Sequence, residues 1–313
     1  MRILVTGGAG FIGSALARRL LADGYRVVIV DNLSTGKWSN VPAEADFVAG
    51  DLADPATLDR VPEGPYDAVV HLAAQSSGAI GQRDPYLDMQ VNVGATLLLS
   101  RWCLGRGIPR FLYASSMTVY GHGNREPVDE NADCRPISYY GASKLASESY
   151  LRLAADEGLG VTCLRLYNVY GRGQNLGNLY QGMASIYLAY LLDGVAVPVT
   201  GSFDRYRDFV HVDDVVEAMM LALRRPRTAS HAYNIGTSRK TTVRELLRLL
   251  IAAVGLPPDH PIEELGGSPS DVFGSIASCL RADKELGWVP RVTLVEGLDD
   301  MVAWAKAQCR DHA

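Results

Sequence analysis

Short runs rich in valine and isoleucine recur along the chain at 2–6, 26–30, 45–49, 68–72, 110–114 and 161–166, with longer amphipathic segments between them. Brief apolar runs bounded by helix-length segments predict βαβ units and a parallel sheet. In 13–23 the apolar Ala15, Leu16, Leu20 and Leu21 repeat at helical spacing and Gly24 follows as a stop, so the first crossover is expected to be a helix. The connectivity is that of a doubly wound α/β fold. Beyond about residue 170 the pattern loosens, with 171–182 and 201–209 reading as loops and 183–192 as a helix. Pro257, Pro258, Pro261, Gly266, Gly267 and Pro269 mark an irregular stretch before a last helix near 294–307, and a smaller lobe is expected in this half.

A length of 313 residues exceeds a typical single core and suits a large domain with a smaller companion and a cleft between them. The formal charge of -5 lacks the basic surplus of a nucleic-acid footprint, which argues against that class of partner. Cys103, Cys134, Cys163, Cys279 and Cys309 are scattered and form no CxxC pair, so they are expected as free thiols in a reducing compartment, with no metal site. Glycines interrupt the apolar N-terminal stretch, and no run reaches the roughly 18 apolar residues that span a bilayer. A cytoplasmic protein without membrane contact is expected.

The first chemistry-bearing segment is Thr6-Gly7-Gly8-Ala9-Gly10-Phe11-Ile12-Gly13, which follows the first strand and opens the first helix. Gly7 suits a tight turn, Gly10 lets the backbone approach a pyrophosphate, and Gly13 lets helix and strand pack closely. The helix N-terminus adds N–H groups and a positive dipole end for phosphates. Asp31 ends the second strand, where a carboxylate accepts hydrogen bonds from a ribose 2′-hydroxyl and repels a 2′-phosphate. This is a Rossmann-type site that favours NAD over NADP.

The second is Tyr140-Gly-Ala-Ser-Lys144, whose tyrosine and lysine share one face of a helix. A phenol near pKa 10 is a poor base at neutral pH, and a neighbouring ammonium together with a positive nicotinamide is expected to lower it into the working range. His71 and His211 fit structural settings better than metal coordination. Asp213 and Asp214 fit a helix N-cap with first-turn charge. Tyr139 is expected to point away from Lys144, as packing or as substrate-side lining.

Taken in order, TGGAGFIG (6–13), VDNLSTG (30–36), GDL (50–52), HLAAQ (71–75), VNVGAT (91–96), SSMTVYG (115–121), YGASK (140–144), RLYNVYG (165–171), RDFVHVDDV (207–215) and ELGW (285–288) carry a resemblance over essentially the whole length. The chain resembles the extended short-chain dehydrogenase/reductase family, in its nucleotide-sugar epimerase branch. The resemblance implies a catalytic set of Ser116, Tyr140 and Lys144. It implies cofactor contacts at Gly7, Gly10, Phe11, Ile12 and Gly13, at Asp31, Asn32, Asp51 and Leu52, and at Leu72, Ala73, Ala74, Gln75 and Asn92, besides Tyr140 and Lys144. Substrate contacts are implied at Ser116, Met117, Thr118, Asn168, Arg207, Asp271 and Ser275.

The implied organisation is an NAD-binding domain over 1–167, rejoined by a segment near 208–236, and a nucleotide-sugar lobe over 168–207 and 237–313. The implied reaction is inversion of C4 of a UDP-sugar hexose through a 4-keto intermediate, by a homodimer joined through the helix of 140–144 and the one after Asn92. Dehydrating relatives carry Asp-Glu where this chain has Met117 and Thr118, and decarboxylating relatives carry a Glu in that loop, which sets a 4,6-dehydratase or decarboxylase behind the epimerase. Asp31 disfavours an NADPH-dependent keto-sugar reductase, and the intact Ser116, Tyr140 and Lys144 disfavour a non-catalytic NAD sensor. Many relatives grip the diphosphate with an Arg-x-Gly-Asp segment, where this chain has Ser268-Pro269-Ser270-Asp271. Arg207, with Arg205 or Arg172, is expected to compensate. The resemblance further implies that the residue four positions after Asp271, Ser275, lies beside the sugar's C2 substituent, where a small side chain is expected to admit both a hydroxyl and an acetamido group.

Overall fold

The computed structural model describes residues 1–180, 182–225, 231–266 and 273–310. In chain order the strands are β1 (Arg2–Thr6), β2 (Arg26–Asp31), β3 (Asp46–Ala49), β4 (Ala68–His71), β5 (Arg110–Ser116), β6 (Gly160–Leu166), β7 (Asn168–Tyr170), β8 (Val197–Thr200), β9 (Tyr206–Arg207), β10 (Phe209–His211), β11 (His231–Ile235), β12 (Thr241–Thr242) and β13 (Ile262–Leu265). The helices are α1 (Phe11–Ala22), α2 (Ala56–Asp59), α3 (Gly78–Arg83), α4 (Pro85–Met89), α5 (Ala95–Gly105), α6 (Tyr139–Asp156), α7 (Met183–Leu192), α8 (Val212–Arg224), α9 (Val243–Val254), α10 (Leu280–Leu286) and α11 (Leu294–Arg310).

Seven strands form one parallel sheet in the order β3-β2-β1-β4-β5-β6-β11. Adjacent strand residues face opposite sides, so a sheet covered on both faces needs uninterrupted apolar runs. Ile3 and Val5 pack with Leu16 and Leu20 of α1 and with Val215, Met219 and Met220 of α8. Leu4 on the other face packs with Leu99 and Cys103 of α5 and Leu151 of α6. Each such burial stabilises by about 1.5–3 kcal/mol. The strand order reverses between β1 and β4, which opens a crevice at their carboxyl ends.

A separate apolar cluster joins Leu188 and Leu191 of α7, Leu246 and Leu250 of α9, and Met301 and Val302 of α11. Here the sequence reading needs correction. The stretch taken as irregular contains β13, paired with β8, and α10 precedes the last helix. Ile262 and Leu265 are both exposed, so β13 has no buried face to leave a period in the sequence. The segment 201–209 holds β9, which pairs with β12, and the start of β10, which pairs with β7. The N-cap of α8 is His211, whose ring accepts the Asp213 N–H, and the two aspartates lie inside the first turn. Asp214 has a different task, accepting the N–H groups of Arg291 and Val292, both at 3.0 Å. Among the described residues no helix is long and apolar enough to cross a membrane.

His71 closes β4 with its ring between Thr6 Oγ1 at 2.7 Å and Thr96 Oγ1 at 3.1 Å. Burial, with nearby Lys144 adding to it, pushes its pKa down to about 3. An unfolded histidine titrates near 6.5, so below that pH the unfolded chain takes up a proton that the folded one refuses. The stability present above about pH 6.5 is therefore lost as pH falls toward 3. At pH 5 the loss from this residue is about 2 kcal/mol. Urea unfolding at pH 7.5 and pH 5.0 should show the gap between the two pH values shrinking by about that amount in His71→Gln.

Candidate active site

At the carboxyl ends of β1, β2, β4, β5 and β6 lies a cavity of about 490 Å³, inside the usual range for small-molecule sites. Its floor depends on two close backbone approaches. Gly7 has φ +70°, and a Cβ there would stand 2.6 Å from the Ala73 nitrogen. A Cβ on Gly13 would come within 2.1 Å of the Gly7 oxygen. With nothing larger at either position, α1 begins directly beside the ends of β1 and β4. Its N-cap is Gly10, which offers no side-chain cap, and Gly7, Gly10, Phe11, Ile12 and Gly13 all line the cavity. Such an uncapped helix N-terminus suits a phosphate group.

Asp31, also lining the cavity, is held from both sides by main-chain donors: Ala9 N–H at 2.9 Å on one oxygen and Leu33 N–H at 2.8 Å on the other. Asn32 donates to Asp51 at 3.0 Å, and Asp51, Leu52, Leu72, Ala73 and Ala74 line the same end. Gln75 and Asn92, both expected at the cofactor, are not among the lining residues. The Gln75 amide donates to Ser77 O at 2.9 Å and to the Asp88 carboxylate at 2.6 Å. Asn92 clasps the Gln75 main chain, accepting its N–H at 3.0 Å and donating to its carbonyl at 2.9 Å. The two residues shape the wall from behind.

The other end gathers Ser116, Tyr140 and Lys144. Ser138 caps α6 by accepting the Gly141 N–H at 3.1 Å, so the helix starts one residue before Tyr140. One turn later buried Lys144 donates to Ala114 O at 2.9 Å, with its Nζ 4.8 Å from the Tyr113 ring centre and 5.8 Å from that of Tyr140. Ser116, the last residue of β5, lies beside the Tyr140 phenol and receives the Thr118 hydroxyl at 3.0 Å. Tyr139 is half exposed and is not among the residues lining the cavity.

The expected depression of the phenol is not found in the polypeptide alone. Burial pushes Tyr140 up to about 12, against the influence of the neighbouring Ser116 hydroxyl and with the help of Asp88. Burial also brings Lys144 down to about 8, opposed by Asp88 and Glu148. Burial thus drives apart two groups that ordinarily titrate close together, favouring the neutral phenol at Tyr140 and easing loss of the Lys144 proton.

Met117, Thr118, Asn168 and Arg207 line the remaining wall. Arg207 donates to Tyr206 O at 2.8 Å and Phe273 O at 3.3 Å, and burial, then the neighbouring Arg205, pushes its pKa down to about 10. An anion in the cavity would relieve that cost. Of the expected helpers, Arg172 is occupied with Asp213 at 2.8 Å and Asp300 at 3.0 Å, and neither it nor Arg205 lines the cavity. Asp271, with Ser268, Pro269 and Ser270, lies outside the described residues. Ser275 is described, but it is buried beside Tyr167 and is not among the residues lining the cavity, so the inference about the C2 substituent loses its footing.

The sequence reading missed Ser34, Thr35, Gln174 and Asn178, which also line the cavity. They sit in segments without periodicity. Gln174 is buried, and its side-chain oxygen has no partner among the described residues. Among the described lining residues the carboxylates are Asp31 and Asp51, both at the β2–β3 end, so none lies beside Tyr140.

Residues 3–236 match the family model described as NAD dependent epimerase/dehydratase family. A UDP-glucose 4-epimerase of Mycolicibacterium smegmatis is 36% identical over 95% of this chain and 96% of its own length. Among solved structures, a UDP-glucose 4-epimerase of Thermotoga maritima with UDP-glucose superposes with TM-score 0.93 at 37% identity, covering 99% of this chain and 100% of that one. A dTDP-glucose 4,6-dehydratase of Streptomyces venezuelae with NAD bound gives TM-score 0.90 at 31% identity, covering 98% and 97%.

Asp208 fixes the segment that presents Arg207. Fully buried, it accepts Thr237 N–H and Oγ1, both at 2.6 Å, Ser238 N–H at 2.9 Å and Ala277 N–H at 3.1 Å. Each donor left unsatisfied by Asp208→Ala costs about 1–3 kcal/mol, so denaturant unfolding should show a loss of about 3 kcal/mol or more. A loss under about 1 kcal/mol would mean that other acceptors replace the carboxylate.

Proposed function

The chain belongs to the NAD dependent epimerase/dehydratase family, and on that footing we propose that it inverts C4 of the hexosyl group of a nucleotide sugar, a UDP-sugar in the first instance. The observation that carries this reading is the composition of the Tyr140 end, which holds a phenol, an ammonium and hydroxyls, with no carboxylate among the described lining residues. Eliminating water from a sugar needs an acid and a base beyond the Tyr140 proton site. Met117 and Thr118 supply neither, which ranks a 4,6-dehydratase second although one is a structural neighbour.

NAD, when bound, supplies the hydride acceptor and donor. The cradle fits it, because Gly7 and Gly13, where a Cβ would strike backbone, let α1 begin beside β1 and β4, and the α1 N-terminus offers N–H groups for its diphosphate. Asp31 would hold the adenosine ribose and Lys144 the nicotinamide ribose. Tyr140 would take the proton of the 4-hydroxyl and give it back on the opposite face, while Ser116 holds the same oxygen in line. Arg207 would anchor the nucleotide diphosphate, leaving the hexosyl group free to turn over. We further assign 1–167 and 208–236 to cofactor binding and the remainder to the nucleotide sugar. A cytoplasmic homodimer, joined through α5 and the α6 face where Tyr150 and Leu153 are exposed, completes the reading.

Two experiments test it. Incubated with UDP-glucose and NAD, the protein should form the 4-epimer without accumulating NADH, and Tyr140→Phe should slow that turnover by about 10² to 10⁴-fold while retaining NAD. A Phe variant with more than about a tenth of the wild-type rate would remove Tyr140 from the proton transfer. Asp31→Ala should weaken NAD binding and raise the relative affinity for NADP, measured by titration of both dinucleotides. Unchanged discrimination would show that the carboxylate does not face the ribose.

A further inference from the structure

Glu148 is a largely buried acid for which the chemistry above has no use. It follows Tyr140 and Lys144 at the same four-residue step along α6, so the three side chains share a face. Arg165 of β6 grips its carboxylate at two points, Nε to Oε1 at 3.0 Å and Nη2 to Oε2 at 2.7 Å. Oε1 also accepts the Ser115 hydroxyl at 2.5 Å. The Arg165 Nη1 continues to the Tyr120 hydroxyl at 2.9 Å, and Tyr120 donates to Asn234 of β11 at 2.7 Å. The charged side chains are only 8% and 10% exposed.

A buried ion pair is a weak source of stability, since apolar residues of similar volume commonly do as well or better. Its geometric effect here is specific. Ser115 directly precedes Ser116 at the end of β5, while Glu148 rides on the helix that carries Tyr140 and Lys144. The hydrogen bond between them spans the two elements whose spacing sets Ser116 against Tyr140. An error of 1 Å in such a constellation costs on the order of a hundredfold in rate.

We infer that the Glu148–Arg165 pair, acting through Ser115, is a positioning device that holds Ser116 in register with Tyr140 and Lys144. The inference rests on the epimerase reading and goes beyond it, because Glu148 and Arg165 do not line the cavity and reach it only through Ser115, which does.

Steady-state kinetics with UDP-glucose on NAD-loaded protein test it, with the wild type run first. Ser115→Ala cuts the link and leaves the ion pair intact. Its kcat should fall about tenfold, the equivalent of one hydrogen bond to a charged group, with KM and NAD content unchanged, and Ser115→Thr should recover most of the loss. Glu148→Leu combined with Arg165→Met keeps the bulk without the register, and should stay folded and NAD-loaded with a similar loss confined to kcat. Wild-type kcat in either folded variant overturns the inference, and so does a loss shared by kcat, KM and NAD content, which would mark a structural role. An inactive wild type would instead overturn the epimerase reading, and the inference with it.

Discussion

Everything at the site depends on how closely α1 can approach the ends of β1 and β4. With a Cβ on Gly7 or Gly13 the turn would collide with backbone at 2.6 Å or 2.1 Å, and backbone cannot give way as a side chain can. Absence of side chains at two positions therefore sets the depth of the cavity and aims the helix N-terminus into it. The sheet order supplies the rest, because only at the reversal between β1 and β4 do the following segments diverge and leave space.

The Tyr140 end shows the opposite strategy, in which burial is the instrument. Desolvation pushes the phenol up and the ammonium down, and α6 and β5 hold both groups where water cannot reset them. Acids are near, yet kept out of the cavity. Asp88 is bound to Gln75 and Glu148 to Arg165 and Ser115, so they act through their charge and through the elements they hold. This separation of carboxylates from the reacting end favours a reaction that moves one proton out and back over one that expels water.

The substrate wall is assembled from distant stretches with little periodicity of their own. Arg207 reaches the cavity from β9, a two-residue strand secured by β12, while Asp208 beside it gathers donors from 237–238 and from Ala277. The guanidinium is thus presented by a local framework of hydrogen bonds, with a cost of burial that an anionic ligand would offset.

Much of this was legible in the sequence because it rests on local periods and on residues whose neighbours are close in the chain. The six apolar runs marked β1 to β6, the glycines marked the first turn, and the four-residue spacing put Tyr140 and Lys144 on one face. The spacing could not reveal the state of those groups, since burial by β5 and β6 decides it. Gln75 and Asn92 turned inward because each found a partner across the fold, and Ser275 went behind Tyr167 because an offset counted along a loop carries no direction in space. Strands such as β9 and β13 left no period, because pairing and not a buried face forms them. The sequence by itself determined which residues could do the chemistry, through their types and short-range spacing; tertiary structure alone decided which of them share a cavity and with what protonation, because distance, dielectric and hydrogen-bond partners exist only once the chain is packed.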